Sequence, residues 1–407
     1  MVANGWQDIK LGEFVTLQRG HDLPEPQRSP GKIPVIGSFG ITGYHDKATT
    51  KGPGVTVGRS GASFGVTNYS AIDFWALNTA LYVIDFHGND EKFAYYFLKS
   101  IDFQRYNSGS AQPSLNRNFI HPISVKIPPL AEQKTIAHIL GTLDDKIELN
   151  QQMNQTLEAI ARALFKSWFI DFDPVRAKLD GRQPIGMDAE TAALFPAEFE
   201  DSPLGEIPKG WRLGKLKDIS ENPKRTIRPE QIPAGTPYIG LEHMPKKSIA
   251  LFDWGLSDNV ESNKFQFRQG DILFGKLRPY FHKVGVSIQD GVCSTDILVI
   301  IPKYLEWFSL TLAYVSSDEF VDYTNMASDG TRMPRTNWQV MGQYPIVIPS
   351  IEVTKAFNNE ILLTVQAIRS NIFQSKTLAS IRDALLPKLL SGEIRVQDAE
   401  TVVEAVT

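Results

Sequence analysis

A chain of 407 residues that is 42% hydrophobic and 22% charged is long enough for two or three domains with proper cores, which excludes the disordered and fibrous classes. The formal net charge of −4 argues weakly against a nucleic-acid partner when taken alone. The single Cys293 can close no internal disulfide and the polar start Met1-Val-Ala-Asn-Gly-Trp6 lacks the apolar core of a signal peptide, so the expectation is a soluble, cytoplasmic protein with no membrane span.

Residues 1–127 are rich in Gly, Pro, Ser and Thr, and their short apolar runs Ile33-Pro-Val-Ile36, Gly54-Val-Thr-Val-Gly58 and Leu81-Tyr-Val-Ile84 predict strands of a compact α/β domain. Helical spacing follows over residues 93–103 (Phe93, Phe97, Leu98, Ile101), and then a polar Gly-Ser-Asn-Gln loop over residues 107–118. Two prolines, Pro128 and Pro129, open a long stretch that holds no further proline and one glycine, Gly141. It predicts one helix over residues 128–170. Ile136, Leu143, Leu157 and Leu164 share one seven-residue phase, and Ile139, Met153 and Ile160 fill the second seam position. So narrow a stripe requires a partner helix.

Residues 171–209 carry five prolines and, from Asp188 onward, six acidic residues. They predict a connector with one short helical turn near residues 189–194. This segment concentrates negative charge: Lys and Arg against Asp and Glu leave −4 over residues 181–210, but +2 over 1–127 and +1 over 211–349. A second globular domain (210–348), a second long helix (349–390) and a C-terminal tail (391–407) complete the chain.

The second half restates the first. Shifting the chain by 221 positions lays Ile127–Leu164 on Ile348–Leu385 without a gap, with ten of the 38 pairs identical, among them Pro128/Pro349, Asn150/Asn371, Thr156/Thr377 and Leu164/Leu385. Unrelated segments share roughly two or three, so the pattern is an internal duplication. Weaker echoes occur in the same order: Gly5-Trp6 and Gly210-Trp211, Ile33–Gly37 and Thr236–Gly240, Gly54–Arg59 and Asp271–Lys276, Asn78–Ile84 and Ser294–Ile300. The expected fold class is α+β: two duplicated α/β domains joined by two long antiparallel helices in a coiled-coil stalk with approximate two-fold symmetry. Asn150 and Asn371 would meet near the middle of that stalk.

No phosphate-cradling loop, His-Glu-x-x-His or Gly-x-Ser-x-Gly elbow is present, and seven scattered histidines with one cysteine give no metal-ligand spacing. His138 and the pair Asp144-Asp145 are expected on a solvated helix face. What remains are basic and amide residues on Gly-rich loops, the types that grip phosphates and base edges. In the first half these are Lys47, Lys51, Arg59, Ser60, Arg105, Asn107, Ser110, Gln112, Asn116 and Arg117; in the second, Lys224, Arg225, Lys246, Lys247, Lys276, Arg278, Arg332, Arg335 and Asn337. Arg59 and Lys276 stand out because a basic residue after Val-Gly or Phe-Gly recurs in both halves.

The segments Ile127-Pro-Pro-Leu-Ala-Glu-Gln-Lys134, Leu143-Asp-Asp-Lys-Ile147 and Ser167-Trp-Phe-Ile-Asp-Phe-Asp-Pro-Val-Arg-Ala-Lys178 resemble the central region of specificity subunits of Type I restriction-modification systems. The resemblance implies two target recognition domains, each binding half of a split double-stranded DNA site, and helices that set the spacer. It also implies a chain without catalysis of its own that docks two methyltransferase subunits through Trp168, Phe169 and Phe172, with restriction subunits joining. S-adenosylmethionine, ATP and Mg would reside on those partners. A DNA-independent coiled-coil adaptor and a free-standing two-domain DNA-modifying enzyme are the competing readings. The tail after Ser391 lacks an equivalent of Trp168-Phe-Ile-Asp-Phe172.

Overall fold

A computed structural model describes residues 5–109, 113–328 and 333–406. Ser110, Gln112 and Arg332 lie outside the described residues. The chain divides into two units, one formed by residues 1–148 with 375–407 and the other by residues 149–374. Strands and helices are mixed in both, so the fold is α+β. Among the described residues no helix is long and apolar enough to cross a membrane.

The first unit is built on a four-stranded antiparallel sheet in the order Thr16–Arg19, Ala80–Asp85, Gly54–Gly58, Thr67–Ser70. Gly54–Gly58 is buried along its whole length. Glycine is required at both its ends, since a Cβ would meet the Phe74 ring at 2.6 Å from Gly54 and the Ser63 carbonyl at 2.1 Å from Gly58. A smaller sheet holds Ile33–Gly37 between Gly40–His45 and the parallel Trp75–Ala76. The helix Glu91–Ser100 starts at Asp90, whose side chain accepts from Phe93 N as an N-cap should, and it buries Phe93, Ala94, Tyr96, Phe97 and Leu98.

Against this domain lies the start of the helix Leu130–Phe169, opened by the two prolines. Gln133, 2% exposed, fixes the contact: its Oε1 accepts from Asp90 N at 3.0 Å and its Nε2 donates to Asn89 Oδ1 at 2.8 Å. The core joins Phe14, Val55, Phe93, Ile136, Leu140 and Leu143 to Leu378, Leu385 and Leu389 of the second long helix, Ile351–Ser391. Residues beyond that helix differ from the simple tail expected. They form the helix Val396–Glu404, because Ala399 and Val403 complete an apolar face that is buried in the same core.

The second unit repeats the plan. Its antiparallel sheet runs Ser220–Glu221, Ile297–Pro302, Ile272–Gly275, Val284–Val286. Its second sheet again contains one parallel pair, Tyr238 opposite Val292 where the first unit has Val35 opposite Trp75. Two strands, Thr226–Ile227 and Lys264–Phe267, widen that sheet to five. Ala80 pairs with Gly58 as Ile297 pairs with Gly275, so the echo at Asn78/Ser294 is corrected by one residue: Asn78 corresponds to Thr295.

Residues 171–209 are more than a connector. They fold into the helices Asp173–Leu179 and Ala189–Ala193 and the ribbon Phe199–Glu200 with Ile207–Pro208, and they contribute Phe172, Val175, Phe195 and Ile207 to the core of the second unit. The apolar phase is also corrected there. Met153 and Ile160 are 40% and 48% exposed, whereas Asn150, Asn154 and Glu158 are 0%, 7% and 4% exposed. The reason is that this half of the helix faces polar partners: Asn150 Nδ2 donates to Gln374 Oε1 and Asn371 Nδ2 to Asn154 Oδ1, both at 2.9 Å, while Glu158 Oε1 accepts from Ser248 Oγ at 2.7 Å. As 150 and 154 rise, 374 and 371 fall, so the helices run antiparallel in this unit. Asn150 Nδ2 also reaches the Asn371 carbonyl at 3.5 Å, so the two asparagines meet in this unit.

Candidate nucleic-acid interface

Arg59 follows the buried strand Gly54–Gly58 and is clasped on both sides. Its N–H donates to Thr79 O and its carbonyl accepts from Leu115 N, each at 2.8 Å. The same two bonds recur at Lys276, whose N–H donates to Asp296 O at 2.9 Å and whose carbonyl accepts from Thr336 N at 3.1 Å. Next along, Gly61 N donates to Pro113 O and Arg278 N to Pro334 O, and the bridges Ser60–Ser114 and Leu277–Arg335 match as well. Each unit therefore holds a basic residue at the end of a sealed strand and lashes to it a polar loop from far along the chain.

In the first unit the result is a polar cleft of about 560 Å3 whose walls include Gln18, Arg19, Arg59, Ser108, Ser114, Asn116 and Arg117. Three guanidinium groups with amides and hydroxyls, placed at one concavity, supply donors for phosphate oxygens and base edges. Asn107 shapes the rim, its Oδ1 accepting from Gly109 N at 2.9 Å and Ser114 N at 3.0 Å. Asn116 caps the short helix Arg117–Ile120, and Asn337 caps Trp338–Met341. Beneath the cleft His121 Nε2 accepts from Leu17 N at 3.0 Å. Burial, helped by the nearby Arg117 guanidinium, pulls the imidazole below its ordinary pKa of 6.5, which keeps that acceptor available.

Comparison with known proteins decides the class. The sequence model of the Type I restriction modification DNA specificity domain matches residues 3–159. The Type I restriction enzyme HindI specificity subunit of Haemophilus influenzae is 28% identical over 69% of this chain and 71% of its own. The Type I restriction enzyme EcoDI specificity subunit of Escherichia coli is 24% identical over 95% of this chain and 92% of its own. The chain is similar to the specificity subunits of Type I restriction-modification systems. A crystal structure of the S subunit of such a system from M. genitalium shares its fold, with a TM-score of 0.58 at 16% identity over 96% of this chain and 97% of that one.

Within this chain the singled-out residues separate into groups. Arg59, Asn116 and Arg117 converge on the cleft, with Ser60 and Asn107 in the backbone bridges that frame it. Lys47, Lys51, Lys224 and Lys246 are exposed, Lys246 with its ammonium 4.6 Å above the Phe281 ring. Several others already hold partners: Arg105 with Asp102, Arg225 with Asp271 at 2.6 Å, Lys247 with Asp318 at 2.9 Å, and Arg335 with Asp296 at 3.6 Å. The Arg225 pair is shielded, with side chains 24% and 11% exposed, so it braces the fold. Gln18 and Arg19 also line the cleft, and nothing in a strand pattern separates its site-facing residues from the rest.

Trp168, Phe169 and Phe172 require correction as a docking surface. They are 5%, 1% and 7% exposed and pack on Phe195, Phe357 and Trp211 with ring centroids 4.8 to 5.9 Å apart. Burial of large aromatic rings dominates core energetics, and this motif is spent inside the chain's own second unit. Asp144 is corrected too. Expected on a solvated face, it accepts from Tyr96 Oη at 2.6 Å and pairs with Arg382 at 2.5 Å, while His138 is exposed.

Proposed function

We propose that each globular domain of this chain reads one half of a bipartite double-stranded DNA target, and that the two long helices act as the ruler between the halves. What carries the reading is the basic residue held by the same clasp in both units, Arg59 and Lys276. A duplicated grip on a duplicated scaffold suits two half-sites, whereas a DNA-independent adaptor has no use for it. The chain itself does no chemistry. Two methyltransferase subunits using S-adenosylmethionine, and restriction subunits using ATP and Mg, act where this chain places them, in the cytoplasm.

With the Trp168 cluster buried, docking falls to apolar residues left outside. Leu149, Met153 and Ile160, 40% to 48% exposed along one helix, form a stripe suited to a partner helix. Exchanging residues 1–127 for those of another specificity subunit tests the reading: the methylated sequence should change in one half only, and a change in both halves would refute independent readers. Incubation of the isolated chain with DNA and labelled S-adenosylmethionine should transfer no label.

A further inference from the structure

The duplication supplies a control within the molecule. In the first unit Tyr96, Asp144 and Arg382 meet between the two long helices and the helix Glu91–Ser100, filling the space there with a phenol ring and a guanidinium on a carboxylate. The corresponding positions of the second unit are Ala313, Val365 and Ala161. The helix pairing Ile160/Ile381 fixes the third and Asn150/Asn371 the second, while Phe103/Phe320, in register with the sheet, fixes the first. All three small or apolar residues line one cleft of about 440 Å3.

Most of its surface is apolar, with Phe165 and Phe357 contributing; Glu158 is set in that surface, and Lys166, Lys247, Asp318 and Glu319 also line the cleft. The Glu158 side chain is 4% exposed; Oε1 is taken by Ser248 Oγ and Ala250 N, and Oε2 faces Arg162, itself 57% exposed, at 3.5 Å. A carboxylate withdrawn from water beside an apolar cavity favours a cation that brings its own apolar stem. In the first unit a carboxylate at a different position, Asp144, is met by the chain's own arginine and tyrosine.

We propose that this cleft is a binding site for a guanidinium group on an apolar stem, the chemistry of an arginine side chain, with Glu158 as its counter-ion. This site does not depend on DNA recognition by the chain. Calorimetric titration of the full chain with hexylguanidinium should show saturable binding. Glu158→Gln keeps the acceptor for Ser248 and Ala250 and should weaken it about tenfold. The filled variant Ala161→Arg, Ala313→Tyr, Val365→Asp rebuilds the cluster of the first unit and should bind none, with circular dichroism confirming that it folds. Ala313→Tyr alone is the smaller change and should weaken binding on its own. Binding of acetyl-arginine amide but not free arginine would mark a partner polypeptide as the source; binding of both would mark a free small molecule, and either outcome supports the site. Hexanol binding as tightly as hexylguanidinium, Glu158→Gln leaving affinity unchanged, or no binding by any guanidinium probe would overturn it.

Discussion

Asn371 donates its amide hydrogen to Asn154 Oδ1 across 2.9 Å, in a helix pair whose neighbouring positions Ile368 and Ile372 are 4% and 2% exposed. A polar contact in an apolar seam constrains alignment, because a shifted helix would set a buried amide against hydrocarbon. Asn371→Ala should cost about 1 to 3 kcal/mol, read as a lowered denaturation midpoint. An unchanged midpoint would show that the contact carries no stability.

Arg59→Ala and Lys276→Ala should each weaken DNA binding and reduce its salt slope by about one unit. Competition titrations between about 50 and 200 mM salt read both quantities. Wild-type affinity and slope in both variants would remove these residues from the DNA face.

Acid should loosen the first unit through His121. Its folded pKa lies below the ordinary 6.5, so the unfolded chain binds the extra proton first and stability rises with pH across that window. The contribution is complete above about pH 6.5 and is lost as pH falls through the depressed folded value. His121→Asn should flatten the pH dependence of the melting temperature between about pH 5 and 7; an equally steep profile would assign it to other groups.

Cys293 is buried, and that burial, more than any neighbouring charge, drives its thiol pKa well up. Alkylation of the native chain by iodoacetamide at pH 8 should therefore be far slower than in urea, as mass spectrometry would record. Equal rates would mean that the strand Gly291–Cys293 opens readily.

The ruler has its own test. Seven residues added after Asn150 and after Asn371 keep the helix faces in phase and add roughly 10 Å at ~1.5 Å per residue. The tolerated spacer should then grow by about three base pairs at ~3.4 Å each. Methylation mapping that finds the old spacer in a folded, active variant would end the idea.

The long helices and their duplication were legible in the sequence, because Pro128 and Pro129 open the first, Pro349 opens the second, and the helix interiors hold Asn and Thr in step. The face each helix buries was not. Met153 and Ile160 fit the expected seam, but the Ser248 segment rewards Glu158 and the Asn371 amide rewards Asn154 instead, a tertiary demand that hydropathy cannot encode. Arg59 and Lys276 were visible because a repeat singles out what both copies keep. Arg19 was not, since its place in the cleft depends on strand order. The Trp168 cluster misled because a conspicuous aromatic run reads alike whether it meets a partner or closes its own core.

The first unit draws on residues from both ends of the chain, whereas residues 149–374 form the second unit without interruption. During synthesis the order of completion is therefore inverted. The domain made first lacks Leu378, Leu385 and Leu389 of its core until they leave the ribosome, and the domain made second can close before it. A ribosome that stops near residue 374 would release a chain with one finished domain and one sticky one, a product that chaperones and proteases can tell from the 407-residue chain by its exposed apolar face.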